Sequence, residues 1–210
     1  MWIDISRAAA SAQASPHGGR PLRAAFGLAA ITLLVFGLAY SLAATYMGRV
    51  LFPRAATGSM IERGGKVIGS VLVAQPFASD RYFHPRPSAA GYDVMALAGS
   101  NQARTNPDLR RRLDAARAAV AAREGVAPDA VPGDLVTQSG SAIDPHISPQ
   151  AARIQIARVA RARGLDPQRL ASLVERHVQG RQLGLFGQAR VNVLSLNLAL
   201  DAWQATGGVH

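Results

Sequence analysis

Cysteine is absent from this 210-residue sequence. The absence excludes disulfide bonds, thiolate metal sites and a catalytic thiol, although it is compatible with any compartment. Lysine is nearly absent too, since Lys66 is the lone lysine among 23 basic residues. Aromatic residues make up only 6% of the chain, so stacking platforms between the arginines are few. A net charge of +10 is therefore interpreted as a solvated arginine surface rather than a nucleic-acid site, with anionic lipid or an acidic protein face as alternatives.

The motifs of common catalytic and phosphate-binding sites are also missing. None of the five histidines has a second histidine or a paired carboxylate at metal-ligand spacing, so no metal site is predicted. The sequence has no lysine-bearing phosphate loop, no aspartyl-phosphate segment and no nucleophile elbow. Ser139, Ser141, Asp144 and His146 are the residue types of a catalytic triad, but a turn with capping side chains is the favoured interpretation. We therefore predict no catalytic residue.

An apolar segment near the start, residues 24–48, carries no charge over 25 residues. As a helix it would reach about 37 Å, enough to cross a hydrocarbon core of roughly 30 Å. A cleaved signal peptide is the alternative, but the apolar core of a signal peptide is usually only about 7–15 residues long. We therefore predict a flexible tail at 1–21, a transmembrane helix at 22–48 and a soluble α+β domain at 49–210.

The orientation of this single-pass chain does not follow from its charges. Arginines flank both ends of the apolar segment in equal number, so the positive-inside count is a tie. A long domain that follows a single N-terminal span is usually translocated. This favours an N-terminus inside the cell and a soluble domain outside it.

The remaining sequence predicts a mixture of strands and helices without an internal repeat. Two strands, 59–61 and 66–73, are joined by a turn at Gly64 and Gly65. Long loop regions follow at 75–106 and 125–147. Helices are predicted from Pro107 to Gly125, from Pro149 to Gly164 and from Pro167 through Val178, and a strand passes into a helix within 191–203.

The second of these helices, from Pro149 to Gly164, contains both apolar and basic residues. Ile154, Ala157 and Val159 are predicted to face inward. Four arginines on the same helix would either bind an anion or form a solvated face, and the solvated face is favoured. They are Arg153, Arg158, Arg161 and Arg163.

Four segments form a pattern that is specific when they are taken together. The first is Leu51-Phe52-Pro53 with Gly58-Ser59, and the second is Tyr82-Phe83 with Arg86-Pro87-Ser88 and Gly99-Ser100-Asn101. The third is Asp134-Leu135-Val136 with Ser139-Gly140-Ser141, Asp144-Pro145-His146, Gln155 and Arg158-Val159-Ala160. The fourth is Arg190-Val191-Asn192 with Leu196-Asn197-Leu198-Ala199-Leu200-Asp201. Behind one apolar run, this order resembles the C subunit of the bacterial Kdp-type potassium-transporting P-type ATPase. The resemblance runs from about Leu22 to Asp201, and the family often has glycine where Ala142 stands.

The resemblance implies a non-catalytic accessory subunit of a high-affinity, ATP-driven potassium uptake complex in the cell inner membrane. The implied partners are a potassium-channel-like subunit, a P-type ATPase subunit and a small single-span subunit. The family's C subunit is described as a catalytic chaperone that raises the ATP affinity of the ATPase subunit. Its soluble domain is described as lying on the outer face of the membrane, over the potassium entrance.

An external domain cannot contact cytoplasmic ATP, so the resemblance favours an indirect effect through one stabilised conformation of the complex. Direct ATP binding is the alternative. For it, the candidates are the backbone amides of Gly99, Ser100 and Asn101 and the side chains of Gln155 and Arg158. A membrane-tethered basic binding domain unrelated to transport is the third hypothesis.

Overall fold

The computed structural model describes residues 20–207, which divide into two compact units between Thr57 and Gly58. The predicted tail at 1–21 lies almost entirely outside the described residues. The two units are described separately below. Together they confirm the predicted class, one apolar N-terminal helix followed by a soluble α+β region.

The first unit is a long apolar helix followed by a short one. The long helix runs from α1 (Arg20–Thr32) through a π-helical stretch (Leu33–Ala39) into α2 (Tyr40–Leu51), and α3 (Pro53–Ala56) follows. Its residues from Pro21 to Leu51 form a 31-residue stretch, apolar enough to cross a membrane and without a buried residue. At 1.5 Å per residue the stretch spans about 46 Å, against roughly 30 Å of hydrocarbon. The long helix ends at Leu51, and Pro53, which lacks a backbone N–H, begins the short helix that follows.

The second unit begins with the predicted hairpin. Strands β1 (Met60–Arg63) and β2 (Lys66–Ser70) pair antiparallel, and Gly64 and Gly65 both have positive φ in the turn between them. The second strand ends at Ser70, so its predicted extension to Val73 is wrong. The Ser70 hydroxyl donates to the Gly58 carbonyl at 2.7 Å and accepts from the Leu72 amide, which turns the chain out of the sheet.

Each α-helix of the second unit begins at a residue whose side chain accepts a hydrogen bond from a backbone amide in the first turn, whereas the short 3-10 helices Pro128–Ala130 and Gly133–Leu135 have no such cap. Glycines with left-handed backbone end the first two α-helices, as predicted. The third ends at Arg176, so its predicted extension through Val178 is wrong. The helices and their capping residues are α4 (Pro107–Glu124) with Asn106, α5 (Pro149–Arg163) with Ser148, α6 (Pro167–Arg176) with Asp166, and α7 (Val193–Ala205) with Asn192.

A small antiparallel sheet joins these helices. Its strands are β3 (His146–Ile147), β4 (Val178–Gln179) and β5 (Arg190–Asn192), in the order β3-β5-β4. Val178 leaves the helical pattern because it pairs with Val191 in β5. The predicted strand-to-helix passage within 191–203 is confirmed, whereas the sequence analysis missed β3 and β4. A two-residue strand is too short to show the alternation that reveals a strand.

The hydrophobic core surrounds α5. Val159 of this helix is fully buried and Ile154 is partly buried, as predicted, but Ala157 is exposed and its predicted inward position is wrong. The core's large buried side chains come from every part of the domain after the hairpin. They include Phe83, Ile147, Leu170, Leu196 and Leu200.

Candidate functional site

Segment 80–84 has neither helix nor strand, yet side chains of α5 and α7 bond its carbonyls one after another. The bonds are from Arg158 Nη1 to Asp80 at 2.7 Å and Tyr82 at 3.0 Å, from Arg163 Nε to Arg81 at 2.6 Å, from Asn197 Nδ2 to Phe83 at 2.9 Å, and from Gln155 Nε2 to His84 at 3.2 Å. Five consecutive carbonyls are thus satisfied without a neighbouring strand. The two helices supply what a sheet would otherwise supply.

Two side-chain amides complete this arrangement. The Phe83 amide donates to Asn197 Oδ1 at 2.9 Å, and the His84 amide donates to Gln155 Oε1 at 2.7 Å. Asn197 is 1% exposed and Gln155 is 0% exposed, so water cannot replace either bond. Each amide therefore pairs with both backbone groups of one residue, as the edge of a β-strand does.

Buried ion pairs hold the arginines of this network in place. Arg158 Nε donates to Glu124 Oε2 at 2.9 Å, and their side chains are 6% and 0% exposed. Arg163 Nη2 donates to Asp201 Oδ1 at 2.8 Å. The predicted solvated face is thus wrong for Arg158 and Arg163, because acidic partners from α4 and α7 allow them to be buried.

The other two arginines of α5 agree with the prediction. Arg153 and Arg161 are exposed, and Arg153 pairs with Glu175 on the adjacent helix α6 at 2.8 Å. An ion pair of this kind in water contributes little to stability.

Gln155 and Arg158, two of the nucleotide candidates, belong to this network. The Arg158 guanidinium donates from Nε to Glu124, from Nη1 to two carbonyls and from Nη2 to Gln155. A nucleotide would have to displace these bonds inside the core, so the two side chains do not fit such a ligand. Nucleotide binding at these residues remains a prediction.

The loop candidates Gly99, Ser100 and Asn101 lie elsewhere. A Cβ on Gly99 would lie 3.2 Å from the Gly140 carbonyl oxygen, and Asn101 has a left-handed φ of 49°. Arg112 of α4 donates to the Ser100 hydroxyl at 3.4 Å, whereas Arg158 contacts α4 at Glu124. Twelve residues of helix separate these two contacts, about 18 Å along the axis. The structure does not bring the two groups of candidates together.

His84 is a titratable side chain whose pKa is changed by its burial in the network. Its ring Nε2 lies 3.1 Å from the Ser79 carbonyl, and the residue is 9% exposed. Burial is the main cause that lowers the pKa of His84, and the positive charges of Arg158 and Arg123 add to it. The Ser79 hydrogen bond and Glu124 oppose the decrease only in part.

The stability of the domain should therefore depend on pH through His84. A lowered pKa in the folded state means that the unfolded chain binds the proton more tightly. The contribution of neutral His84 to the free energy of unfolding should be fully present above pH 6.5, the usual pKa of histidine. Below that pH the free energy of unfolding should fall by up to about 1.4 kcal/mol per pH unit. Urea unfolding of the full chain in detergent between pH 7.5 and about 5 measures this slope. His84→Gln should flatten the slope in this window, and an unchanged slope would contradict the assignment.

A second cluster of polar residues surrounds an open cleft of about 430 Å³. Arg86 Nη1 donates to Asp144 Oδ2 at 3.0 Å, and His146 Nδ1 lies 3.2 Å from Asp144 Oδ1. Hydrogen bonds from the His146 side chain first, and from Arg86, lower the pKa of Asp144 against the opposing effect of burial. Asp134 accepts from the Ser148 amide at 2.6 Å on the same wall. The cleft joins loop residues of the second and third family segments.

The turn interpretation of residues 139–146 is confirmed. The Ser139 hydroxyl bonds to the Ser141 hydroxyl at 3.1 Å and accepts from the Asp144 amide, so it serves the loop itself. Ala142 is 1% exposed and has a φ of 67°, a backbone conformation that favours glycine. This explains why the resembled family often has glycine there.

Glu124 and the structural role of Asn197 were not predicted from the sequence. Glu124 is the last residue of α4, where the helix dipole disfavours an acidic side chain. A carboxylate in that position, next to the terminating Gly125, was a signal that it needs a cationic partner. Asn197 had a weaker signal, a polar residue within an apolar helical run.

Comparisons with known proteins agree with the resemblance. The family model for the c chain of K⁺-transporting ATPase, KdpC, matches residues 22–202. A potassium-transporting ATPase KdpC subunit of Xanthomonas oryzae pv. oryzae is 59% identical over 180 residues, covering 86% of each chain. The KdpC subunits of Rhodospirillum rubrum and Shewanella putrefaciens are 52% and 49% identical, covering 87% and 88% of this chain and 95% and 91% of theirs. The chain therefore belongs to the KdpC family, the c chains of the K⁺-transporting ATPase.

Proposed function

We propose that this accessory subunit of a potassium uptake complex catalyses no reaction itself and acts by stabilising one conformation of the complex. The proposal rests on where residues of the four family segments lie and what they bond. Gln155, Arg158 and Asn197 are buried and bonded to segment 80–84. They maintain the shape of the domain instead of offering free groups to a substrate.

The proposed partners are the potassium-channel-like, P-type ATPase and small single-span subunits. The helix from Pro21 to Leu51 would anchor the chain in the inner membrane, and the soluble domain would lie on the outer side. From there the domain would raise the ATP affinity of the ATPase subunit indirectly, because binding energy spent on one conformation changes affinity at a distant site.

The proposal is tested by comparing the purified complex with and without this chain. We expect the KM for ATP to be higher without it, while the isolated full chain in detergent binds no ATP in a calorimetric titration. Saturable ATP binding to the chain alone, at concentrations near the KM of the complex, would instead support the direct alternative.

The direct alternative has one observation in its favour. Ser100 and Asn101 are exposed, and the Arg112 guanidinium lies beside the Ser100 hydroxyl, so a cation and loop amides lie close together. If ATP binds there, Ser100→Asp should abolish binding by charge repulsion. Ser172→Asp, at an exposed position on α6, should not.

The side of the membrane can be measured directly because the chain has no cysteine of its own. Ala157→Cys places a single thiol at an exposed position of the soluble domain. We expect a membrane-impermeant maleimide to label it in intact spheroplasts. Labelling only after lysis would put the domain inside and contradict the proposed orientation.

A further inference from the structure

The connection between β4 and β5 contains a tight hairpin, residues 181–187. The Gln182 amide donates to the Phe186 carbonyl at 2.9 Å, and the Phe186 amide donates to the Gln182 carbonyl at 2.9 Å. Within the turn, the Gly184 amide also donates to the Arg181 carbonyl, and the Leu185 amide donates to the Gln182 carbonyl. The hairpin is thus held by its own backbone.

Its tip presents large apolar side chains to solvent. Leu183 is 86% exposed, Leu185 is 76% exposed and Phe186 is 64% exposed. Single exposed apolar residues are common on protein surfaces. Three of them within the tip of the hairpin, residues 182–186, form a patch that favours contact with another molecule.

The backbone of the tip is strained. Leu183 has a φ of 53°, and a bulky residue with positive φ is uncommon because its side chain crowds the backbone. Gly184 and Gly187, which both follow Leu183 in the hairpin, also have positive φ. The backbone hydrogen bonds between Gln182 and Phe186 hold Leu183 in this arrangement in spite of the strain, and a fixed arrangement loses less entropy on binding.

The surroundings of the tip are positively charged. The sequence has no acidic residue between Glu175 and Asp201, while Arg176, Arg181 and Arg190 lie in this interval. Within residues 20–207, none of these three arginines forms an ion pair with an acidic side chain. Arg190 is half-buried and lines the cleft with Asp134 and Asp144, whereas Arg176 and Arg181 are exposed and have no acidic partner within residues 20–207.

We propose that the 181–187 hairpin inserts into an apolar pocket, rimmed by carboxylates, on another subunit of the potassium-transporting complex. The proposal rests on the proposed function, since it presupposes assembly with those subunits. Phenylalanine and arginine are enriched at protein interfaces, and arginine is frequent among the residues that contribute most to binding. The unmatched arginines call for acidic groups at the edge of the pocket.

A protein partner fits the hairpin better than a bilayer surface does. Recognition of anionic lipid uses clusters of about four to eight basic residues, and only three arginines lie here. The fixed backbone of the tip also suits a pocket of defined shape, which a fluid bilayer does not have.

Binding of the full chain to the other subunits of its complex tests the proposal. The double variant L185S/F186S should weaken the apparent Kd by at least about tenfold. Met95→Ser, which removes an equally apolar side chain that is 89% exposed in another loop, should leave it within about twofold. Arg181→Glu should also weaken binding, whereas Arg169→Glu, at an exposed position of α6, should not.

The outcomes separate the two proposals. If the unchanged chain assembles and L185S/F186S assembles equally well, with the same unfolding midpoint, the hairpin proposal is overturned and the proposed function stands. If the unchanged chain itself fails to associate with the other subunits, the proposed function fails first.

A fluorescence experiment identifies the occupant. Leu185→Cys gives the chain a single thiol for an environment-sensitive dye. We expect the emission to shift to shorter wavelength only when the other subunits are present. A shift in liposomes that contain this chain alone would assign the tip to the bilayer and overturn the proposal.

Discussion

Replacing Arg158 with alanine is expected to lower the free energy of unfolding of the soluble domain by about 3–5 kcal/mol. The substitution leaves the Glu124 carboxylate, which is 0% exposed, with only the Arg123 pair on one oxygen. It also removes the donors to the Asp80 and Tyr82 carbonyls and to Gln155. A buried carboxylate that has lost one of its two arginine partners and carbonyls that have lost their donors both oppose folding.

Urea unfolding of the full chain in detergent measures this effect through the fluorescence of Trp203, with Trp2 replaced by phenylalanine in every variant. Arg161→Ala is the matched control, because Arg161 is an exposed arginine on the same helix and should change stability by no more than about 0.5 kcal/mol. The double variant R158M/E124Q should recover part of the loss, since it removes both buried charges together. Equal stabilities for Arg158→Ala and Arg161→Ala would refute the buried pair.

Asn197→Ala is expected to cost about 2–6 kcal/mol. The change removes the partners of both the Phe83 amide and the Phe83 carbonyl, and each buried backbone group left unpaired costs about 1–3 kcal/mol. Ser195→Ala, on the same helix, is the matched control, because the Ser195 hydroxyl forms no hydrogen bond within residues 20–207. Urea unfolding measures both variants.

Hydrogen exchange provides the more specific measurement for Asn197. In Asn197→Ala the Phe83 amide, within segment 80–84, should exchange its hydrogen faster. The amides of α6 bond within their own helix and should keep their relative protection. If the Phe83 amide stayed protected, the side chain of Asn197 would not be its partner and the account of the network would be wrong.

The two predictions also bear on the proposed function. Segment 80–84 is separated by Pro85 alone from Arg86, which pairs with Asp144 at the cleft. Loss of Arg158 or Asn197 should therefore disturb a surface loop as well as the core. A variant that remained folded but exchanged faster there would be the means of asking whether that loop contributes to assembly.

Local signals account for the parts of the fold that the sequence predicted well. The starts of α4, α5 and α6 follow from Asn106, Ser148 and Asp166, each directly before a proline, because capping involves only the first turn of a helix. The hairpin at Gly64 and Gly65 follows from the positive φ that its turn requires. These choices depend on neighbours within a few residues and need no knowledge of the tertiary structure.

Long-range contacts account for the errors. The pattern of α5 predicts solvated arginines, but a buried arginine depends on an acid that is distant in sequence, as Arg158 depends on Glu124 and Arg163 on Asp201. In the same way, Val178 leaves the helical pattern because it meets Val191. Periodicity shows which face of a helix is apolar, and it does not show which polar residue has a buried partner.

The sequence by itself determined the apolar N-terminal helix, the first hairpin and the order of the helices of the α+β domain, and the family, because these follow from local composition, capping residues and motif order. Only the tertiary structure decided what the family residues do. Gln155, Arg158 and Asn197 lie on two separate helices, and segment 80–84 lies far from both in sequence. Their hydrogen bonds exist because packing brings these parts together in the core, where a backbone group without a partner would oppose folding.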